Sequence, residues 1–255
     1  MSPGYDMPPT HDPELEARKV ATVAVLDMDR TLLNTDQLAY AMCDMLILHT
    51  VSEEDINQHK AHIDANYGNN FSVTDYLAEI YNEEIVELIK EDLLNLAESD
   101  ELRERLLFPG TMELLDALAE SDTPHAILTR GVRKNQEFKL ALFRRLVDRS
   151  EEELPGEVTT EEYKSEWIHH TWTDEGRIVI PKGFFGKESL QAEQVIVIDD
   201  KKDNLLSPDI RVKGILVDNR EAPPKGKYSI AAIAELVNQG GKLEALATWY
   251  QREAA

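Results

Sequence analysis

Two pairs of closely spaced carboxylates carry the strongest chemical signal in this chain. Asp27 and Asp29 follow the apolar run Val20-Ala-Thr-Val-Ala-Val-Leu26, and Asp199 and Asp200 follow Val195-Ile-Val-Ile198. Strand residues two apart point to the same side, so Asp27 and Asp29 can converge on one spot beyond a sheet edge. Carboxylates that close repel one another unless a cation or a shared proton intervenes. Asp-x-Asp alone is also the make-up of an acidic turn and helix cap, and the second pair weighs against that reading. If both runs are neighbouring central strands, four acidic groups crowd one crevice and call for a hard divalent cation with oxygen ligands, naturally Mg²⁺. Thr129 ends a third apolar run, His125-Ala-Ile-Leu128, and leads into Arg130-Gly131. A hydroxyl followed by backbone amides at a turn is a seat for a phosphate oxygen. A cation to join it comes from Lys182 or Lys187, after Ile178-Val-Ile180.

These groups need a scaffold that gathers strand ends. Apolar β-branched runs at 20–26, 125–129, 177–180, 195–199 and 214–217 are short enough for strands buried on both faces. Helical patterns such as 111–120 and 135–147 lie between them, so the predicted architecture is α/β, a doubly wound parallel sheet with its ligand site beyond the carboxyl ends of the strands. One interval breaks the alternation. Residues 36–107 hold only helical patterns, at 36–50, 52–65, 72–81 and 83–97, the second opened by the capping-box-like Ser52-Glu-Glu-Asp55. The predicted division is a core of 19–35 and 108–255, a helical insertion at 36–107, and a polar, proline-bearing extension at 1–18 expected to be disordered. Residues 150–175 are acidic and irregular, with Trp167 and Trp172 as their main apolar anchors.

Composition narrows the function. Among 255 residues the formal charge is −22, a field that repels nucleic acid and anionic lipid, so no general nucleic-acid or membrane binding is expected. Any anionic substrate must be held by local groups. The cluster Arg130, Arg133, Lys134, Lys139, Arg144, Arg145 and Arg149 reads either as an exposed helix face or as a local positive field that guides such a substrate. The single cysteine, Cys43, excludes an intrachain disulfide framework and lies in an apolar helical pattern, where a buried structural thiol is the usual state. His169-His170 lack a third ligand at helical spacing. Neither a signal-peptide h-region nor a spanning apolar segment is found, so a cytoplasmic protein is expected.

Taken in order, Asp27-x-Asp29-x-Thr31, Thr129, a lysine and Asp199-Asp200-x-x-x-Asn204 resemble the four motifs of the haloacid dehalogenase superfamily, with Phe108-Pro-Gly110 leading into the helix before the second motif. The resemblance spans residues 20–217 and implies a Rossmann-like core, with 36–107 as the family's first type of helical cap. It implies that Asp27 attacks a phosphoryl group and that Asp29 is the acid/base. Asp27, Asp200, the Asp29 carbonyl and, through water, Asp199 would hold Mg²⁺. Thr129, Arg130 and the lysine would hold phosphate oxygens, and Asn204 would orient the lysine. Lys182, which follows its strand directly, is favoured over Lys187, with Lys139 third; Thr31 is read as structural, and Arg30 stands where many members carry glycine.

The resulting expectation is a Mg²⁺-dependent phosphatase acting on a small phosphomonoester through an aspartyl-phosphate. A phosphomutase or phosphotransferase would use the same residues, and a phospho-accepting or scaffold protein is the non-enzymatic alternative. A dehalogenase is disfavoured because Asp29 is present. Asn66-Tyr-Gly-Asn-Asn70 reads as an inter-helix turn or as a loop reaching the crevice. Substrate and oligomeric state are not legible.

Overall fold

The computed structural model describes residues 17–66, 72–161, 163–174, 176–182, 184–185 and 188–251. The expectations for residues 1–16, for Lys187 and for all but Asn66 of the 66–70 segment lie outside these residues. The strands are β1 (Arg18–Leu26), β2 (His125–Arg130), β3 (Gly156–Thr159), β4 (Thr173–Asp174), β5 (Arg177–Ile180), β6 (Leu190–Asp199), β7 (Leu206–Ser207), β8 (Val212–Leu216) and β9 (Tyr250–Gln251). Five of them, in the order β3-β2-β1-β6-β8, form the parallel sheet that the alternation predicts.

Helices cover both faces, which is why β1 is apolar without interruption near its end. Ala24 and Leu26 join one apolar cluster, while Val23 and Val25 point the other way into a second one with Ile168 and Trp172. All four of these β1 residues are fully buried. Between β1 and β2 come α1 (Thr35–Met45), α2 (Glu53–Ala65), α3 (Val73–Tyr81), α4 (Glu83–Leu96), α5 (Asp100–Leu106) and α6 (Thr111–Glu120). Side-chain caps open most of this block: Asn34, Ser52, Ser72, Asn82 and Ser99 each accept from a backbone N–H inside the first turn of α1 to α5. Later come α7 (Arg133–Leu146), α8 (Lys164–Trp172) and α9 (Ile230–Asn238).

The first cluster runs without a break from Leu38, Met42, Leu77, Ile89 and Leu93 of the helical block to Leu142, Phe143 and Leu146 of α7. Polar ties reinforce that contact: Arg145 donates to the Leu94 carbonyl at 3.0 Å and Lys134 pairs with Glu87 at 3.2 Å. At the other end Gly110, with φ +89°, opens α6 so close to α9 that a Cβ would lie 2.3 Å from the Ala231 Cα.

Two sequence expectations change here. The 177–180 run is a strand, but β5 pairs antiparallel with the beginning of β6, Ile178 opposite Ala192 and Ile180 opposite Leu190. It therefore runs away from the end of β6 that carries Asp199. The strand that continues the parallel sheet beyond β2 is β3, from the stretch that sequence patterning leaves unplaced, and α8 follows it.

Candidate active site

The site forms where β1 and β6 end side by side. Leu26 pairs with Ile198, and the Asp27 N–H donates to the Ile198 carbonyl at 2.8 Å, so the next residues of both strands, Asp27 and Asp199, emerge together. After Asp27 the chain turns tightly: the Met28 carbonyl accepts from the N–H groups of Thr31, Leu32 and Leu33 at 3.3, 3.1 and 2.9 Å. Within that turn Arg30 adopts φ 62°, the left-handed conformation that favours glycine, and its side chain pairs with Asp36 at 3.0 Å. Asn219 ties the turn to the end of the sheet by donating to the carbonyls of Arg30 and Thr31 at 3.3 and 2.9 Å.

Asp27, Asp199 and Asp200 each bring a carboxylate oxygen to within 4.8 Å of the others. Asp29 is outside that group. Its Oδ1 accepts from Lys139 Nζ and its Oδ2 from Gln136 Nε2, both at 2.9 Å. The Thr31 hydroxyl donates to Asp27 Oδ2 at 2.8 Å, so Thr31 orients the candidate nucleophile as well as stiffening the turn. Asn204 Nδ2 reaches both oxygens of Asp199, at 3.0 and 2.9 Å, and so bears on the site lysine through Asp199 instead of touching it.

That lysine is Lys164, which the sequence reading missed. Its Nζ donates to Asp27 Oδ1 and, at 2.8 Å, to Asp199 Oδ2. Lys182 is exposed and pairs with neither carboxylate, because the antiparallel β5 delivers it to the opposite end of β6. A sequence signal for Lys164 did exist. Lys164, Ile168 and Trp172 are spaced four apart on α8 and are all buried, so the lysine occupies the apolar stripe of its helix, where a charge persists only with partners.

Charge crowding is visible in the proton affinities. Burial, reinforced by Asp199, Asp200 and Asp29 and opposed by Lys164, pushes the Asp27 carboxyl up to about 8. Burial and the adjacent Asp199 push Asp200 up to about 6. For Lys164 burial works against the ammonium, yet Asp199 and Asp27 outweigh it and hold the group above its ordinary range.

Thr129 is fully buried and its hydroxyl donates to Gln136 Oε1 at 3.2 Å; Gln136 in turn donates to the Arg130 carbonyl at 3.1 Å as well as to Asp29. Gln136, also missed, thus links the second strand end to the acid/base candidate. Its only sequence signal was its place one turn into the helix after Arg130-Gly131. Arg130 lines a cavity of about 570 Å³ with Asp27, Asp29, Gln136, Lys139, Lys164 and Asp200. Leu38, Ala39 and Met42 of α1, Ile63 of α2 and Ser72 to Thr74 at the start of α3 complete its wall.

Asp27, Asp29, Thr129, Gln136 and Lys164, though not Asp199 or Asp200, lie within a stretch with recognisable relatives. Residues 24–168 match the family described as haloacid dehalogenase-like hydrolase, more than half of the chain. The chain belongs to this family. A solved structure described as a haloacid dehalogenase-like hydrolase, from Burkholderia xenovorans LB400, is 16% identical, with 86% of this chain and 97% of that one covered and a TM-score of 0.50. CbbY from Rhodobacter sphaeroides, solved in complex with phosphate, is 16% identical over 89% and 99% of the two chains with a TM-score of 0.44. A protein described as a β-phosphoglucomutase from Thermotoga maritima is 16% identical over 86% and 99% with a TM-score of 0.46. No curated protein matches.

The remaining sequence candidates resolve into structural roles. Most of the basic cluster pairs within the chain: Arg133 with Glu137 and Glu157, Lys134 with Glu83 and Glu87, Arg144 with Glu151, and Arg149 with Asp116. Only Arg130 and Lys139 of that cluster line the cavity. Cys43 is fully buried, and burial pushes its thiol up to about 12, the setting of a structural thiol. His169 and His170 have ring centroids 5.7 Å apart and belong to no metal-ligating group among the described residues. No helix among the described residues is long and apolar enough to cross a membrane.

Proposed function

We propose that this haloacid dehalogenase-like hydrolase is a Mg²⁺-dependent phosphatase that cleaves a small phosphomonoester through an aspartyl-phosphate on Asp27. The observation that carries the reading is the convergence of Asp27, Asp199 and Asp200 within 4.8 Å around one buried ammonium, Lys164. Three carboxylates against one ammonium leave a site short of positive charge, and the raised proton affinities of Asp27 and Asp200 express that shortage. Oxygen donors alone, without nitrogen or sulfur, suit a hard divalent cation. Asp27 and Asp200 would hold it with the Asp29 backbone carbonyl, and Asp199 would support it through water. When bound, Mg²⁺ would withdraw charge from a phosphate oxygen and neutralise the carboxylates.

The chain's own groups supply the rest. An oxygen of Asp27, oriented by Thr31 and Lys164, forms a bond to phosphorus as the bond from phosphorus to the ester oxygen breaks. Asp29 delivers a proton to that leaving oxygen and later takes one from the water that cleaves the aspartyl-phosphate. Lys164, Thr129 and Arg130 favour the charge that gathers on the phosphoryl oxygens. Residues 36–107 would act as the cap, since α1, α2 and α3 wall the cavity opposite the strand ends.

The test is hydrolysis of p-nitrophenyl phosphate with Mg²⁺, with and without EDTA, followed by mass spectrometry of the quenched Asp29→Asn protein. Asp29→Asn should accumulate a phosphoryl group on Asp27, because a p-nitrophenolate leaving group needs little protonation whereas hydrolysis of the intermediate needs a base. Turnover by Asp27→Asn, or a phosphoryl group on another residue, refutes the mechanism.

A further inference from the structure

Lys139 shares the cavity wall with Arg30, Arg130, Lys164 and Lys201. Lys164 is buried between Asp27 and Asp199, and Arg30 is paired with Asp36. Lys139 projects from α7 to the cavity wall with Phe138, with about a quarter of its side chain exposed, and pairs with Asp29, which is equally exposed. With Lys139 on one oxygen and Gln136 on the other, the Asp29 carboxylate is held outside the cluster of Asp27, Asp199 and Asp200. The pair is part-buried, and because Gln136 keeps Asp29 hydrogen-bonded, an anion entering the cavity can take the place of Asp29 on Lys139 without leaving either group bare. Once Lys139 turns to that anion, Asp29 keeps only Gln136 and can swing toward the leaving oxygen. Leu38, Ala39, Met42, Ile63 and Phe138 give the cavity apolar lining, and Ser72, Thr74, Asn135 and Arg130 line it as well, so a second anion held by Lys139 would have polar neighbours within the same cavity.

We propose that Lys139 is a specificity-determining residue that recognises a second anionic group on the substrate, so that the preferred substrates are phosphomonoesters bearing a carboxylate a few bonds from the phosphate, and that this exchange frees Asp29. The inference rests on the phosphatase reading for its chemistry, but the binding event can be measured without turnover. The probes are 3-phosphonopropionate and propylphosphonate, matched in length and not hydrolysable as esters, titrated calorimetrically into the Mg²⁺-loaded wild type, Lys139→Met and Lys139→Arg. A hydrogen bond to a charged group corresponds to roughly tenfold to a hundredfold in affinity. The wild type should bind the carboxylated probe at least tenfold more tightly. Lys139→Met should bring the ratio of the two Kd values close to one, and Lys139→Arg should keep most of it. In turnover the same contrast, 3-phosphoglycerate against glycerol 3-phosphate, should appear in kcat as well as KM for Lys139→Met, since Asp29 is released by the exchange. Equal affinity of the wild type for both probes overturns the proposal. Equal loss on both probes in Lys139→Met also overturns it, by making Lys139 a counter-ion of Asp29 alone. Absence of any phosphomonoester hydrolysis by the wild type counts against the phosphatase reading, while the titration still decides the role of Lys139.

Discussion

Replacing Lys164 by methionine tests the centre of the site, because the change keeps most of the side-chain volume and removes only the charge. Lys164 is 1% exposed, Asp27 4% and Asp199 fully buried, so water cannot take over the lost partner. Removing one member of a buried ion pair costs about 3–5 kcal/mol. For a chain of this length each kcal/mol lowers Tm by roughly 2–4 °C, so metal-free Lys164→Met should melt about 6–20 °C below the wild type. Lys164 is the main influence opposing protonation of Asp27, so its loss moves that carboxyl still higher. The folded mutant then keeps the Asp27 proton above about pH 8, where the wild type releases it, so the deficit relative to wild type should grow as pH rises past about 8. Turnover should fall steeply, because Lys164→Met removes the ammonium that orients Asp27 and would favour the charge gathering on the phosphoryl oxygens. Lys182→Met, at an exposed site, should stay within about 0.5 kcal/mol of wild type and keep its activity. Calorimetric melts from pH 5 to 9 with parallel phosphatase assays decide the matter. A wild-type melting profile for Lys164→Met together with lost turnover in Lys182→Met would refute the assignment.

Asp200→Ala should keep the fold and lose most Mg²⁺ affinity, and wild-type affinity by calorimetry would exclude Asp200 as a ligand. Asp200 and Asp27 are pushed up to about 6 and about 8, so protons compete with the metal. Apparent Mg²⁺ affinity should therefore climb as pH rises from 6 to 8 and flatten above, and a thermal shift on adding Mg²⁺ that shrinks over that range contradicts the crowding argument. Asn204→Ala leaves buried Asp199 short of hydrogen bonds and should cost about 1–3 kcal/mol in denaturant unfolding, whereas a change under 0.5 kcal/mol would deny Asn204 its anchoring role.

Much of this protein is legible in the residues alone, where the information is local. Asp27, Thr129 and Asp199 mark strand ends because each follows a run of β-branched and aliphatic residues too short for a helix and too apolar for a surface. The helical block between β1 and α6 is equally plain, since its Ser and Asn caps and amphipathic spacing act within single turns. Family membership follows from the order of such signals along the chain.

What the tertiary structure decides is which of several similar residues meet. A four-residue apolar strand has the same period in either direction, so Arg177–Ile180 looks parallel in sequence; only its antiparallel register on β6 carries Lys182 away from the carboxylates. The lysine that meets Asp27 and Asp199 follows β3, which has two well-buried residues and owes its strand character to pairing with β2. Gln136 and Lys139 likewise read as parts of a basic helix until the approach of α7 to the β1 turn puts both on Asp29. Spacing reports what one element can present, but the partner of a buried charge is chosen by which elements are neighbours. Here that choice turned a lysine on the apolar stripe of α8 into the counter-ion of Asp27.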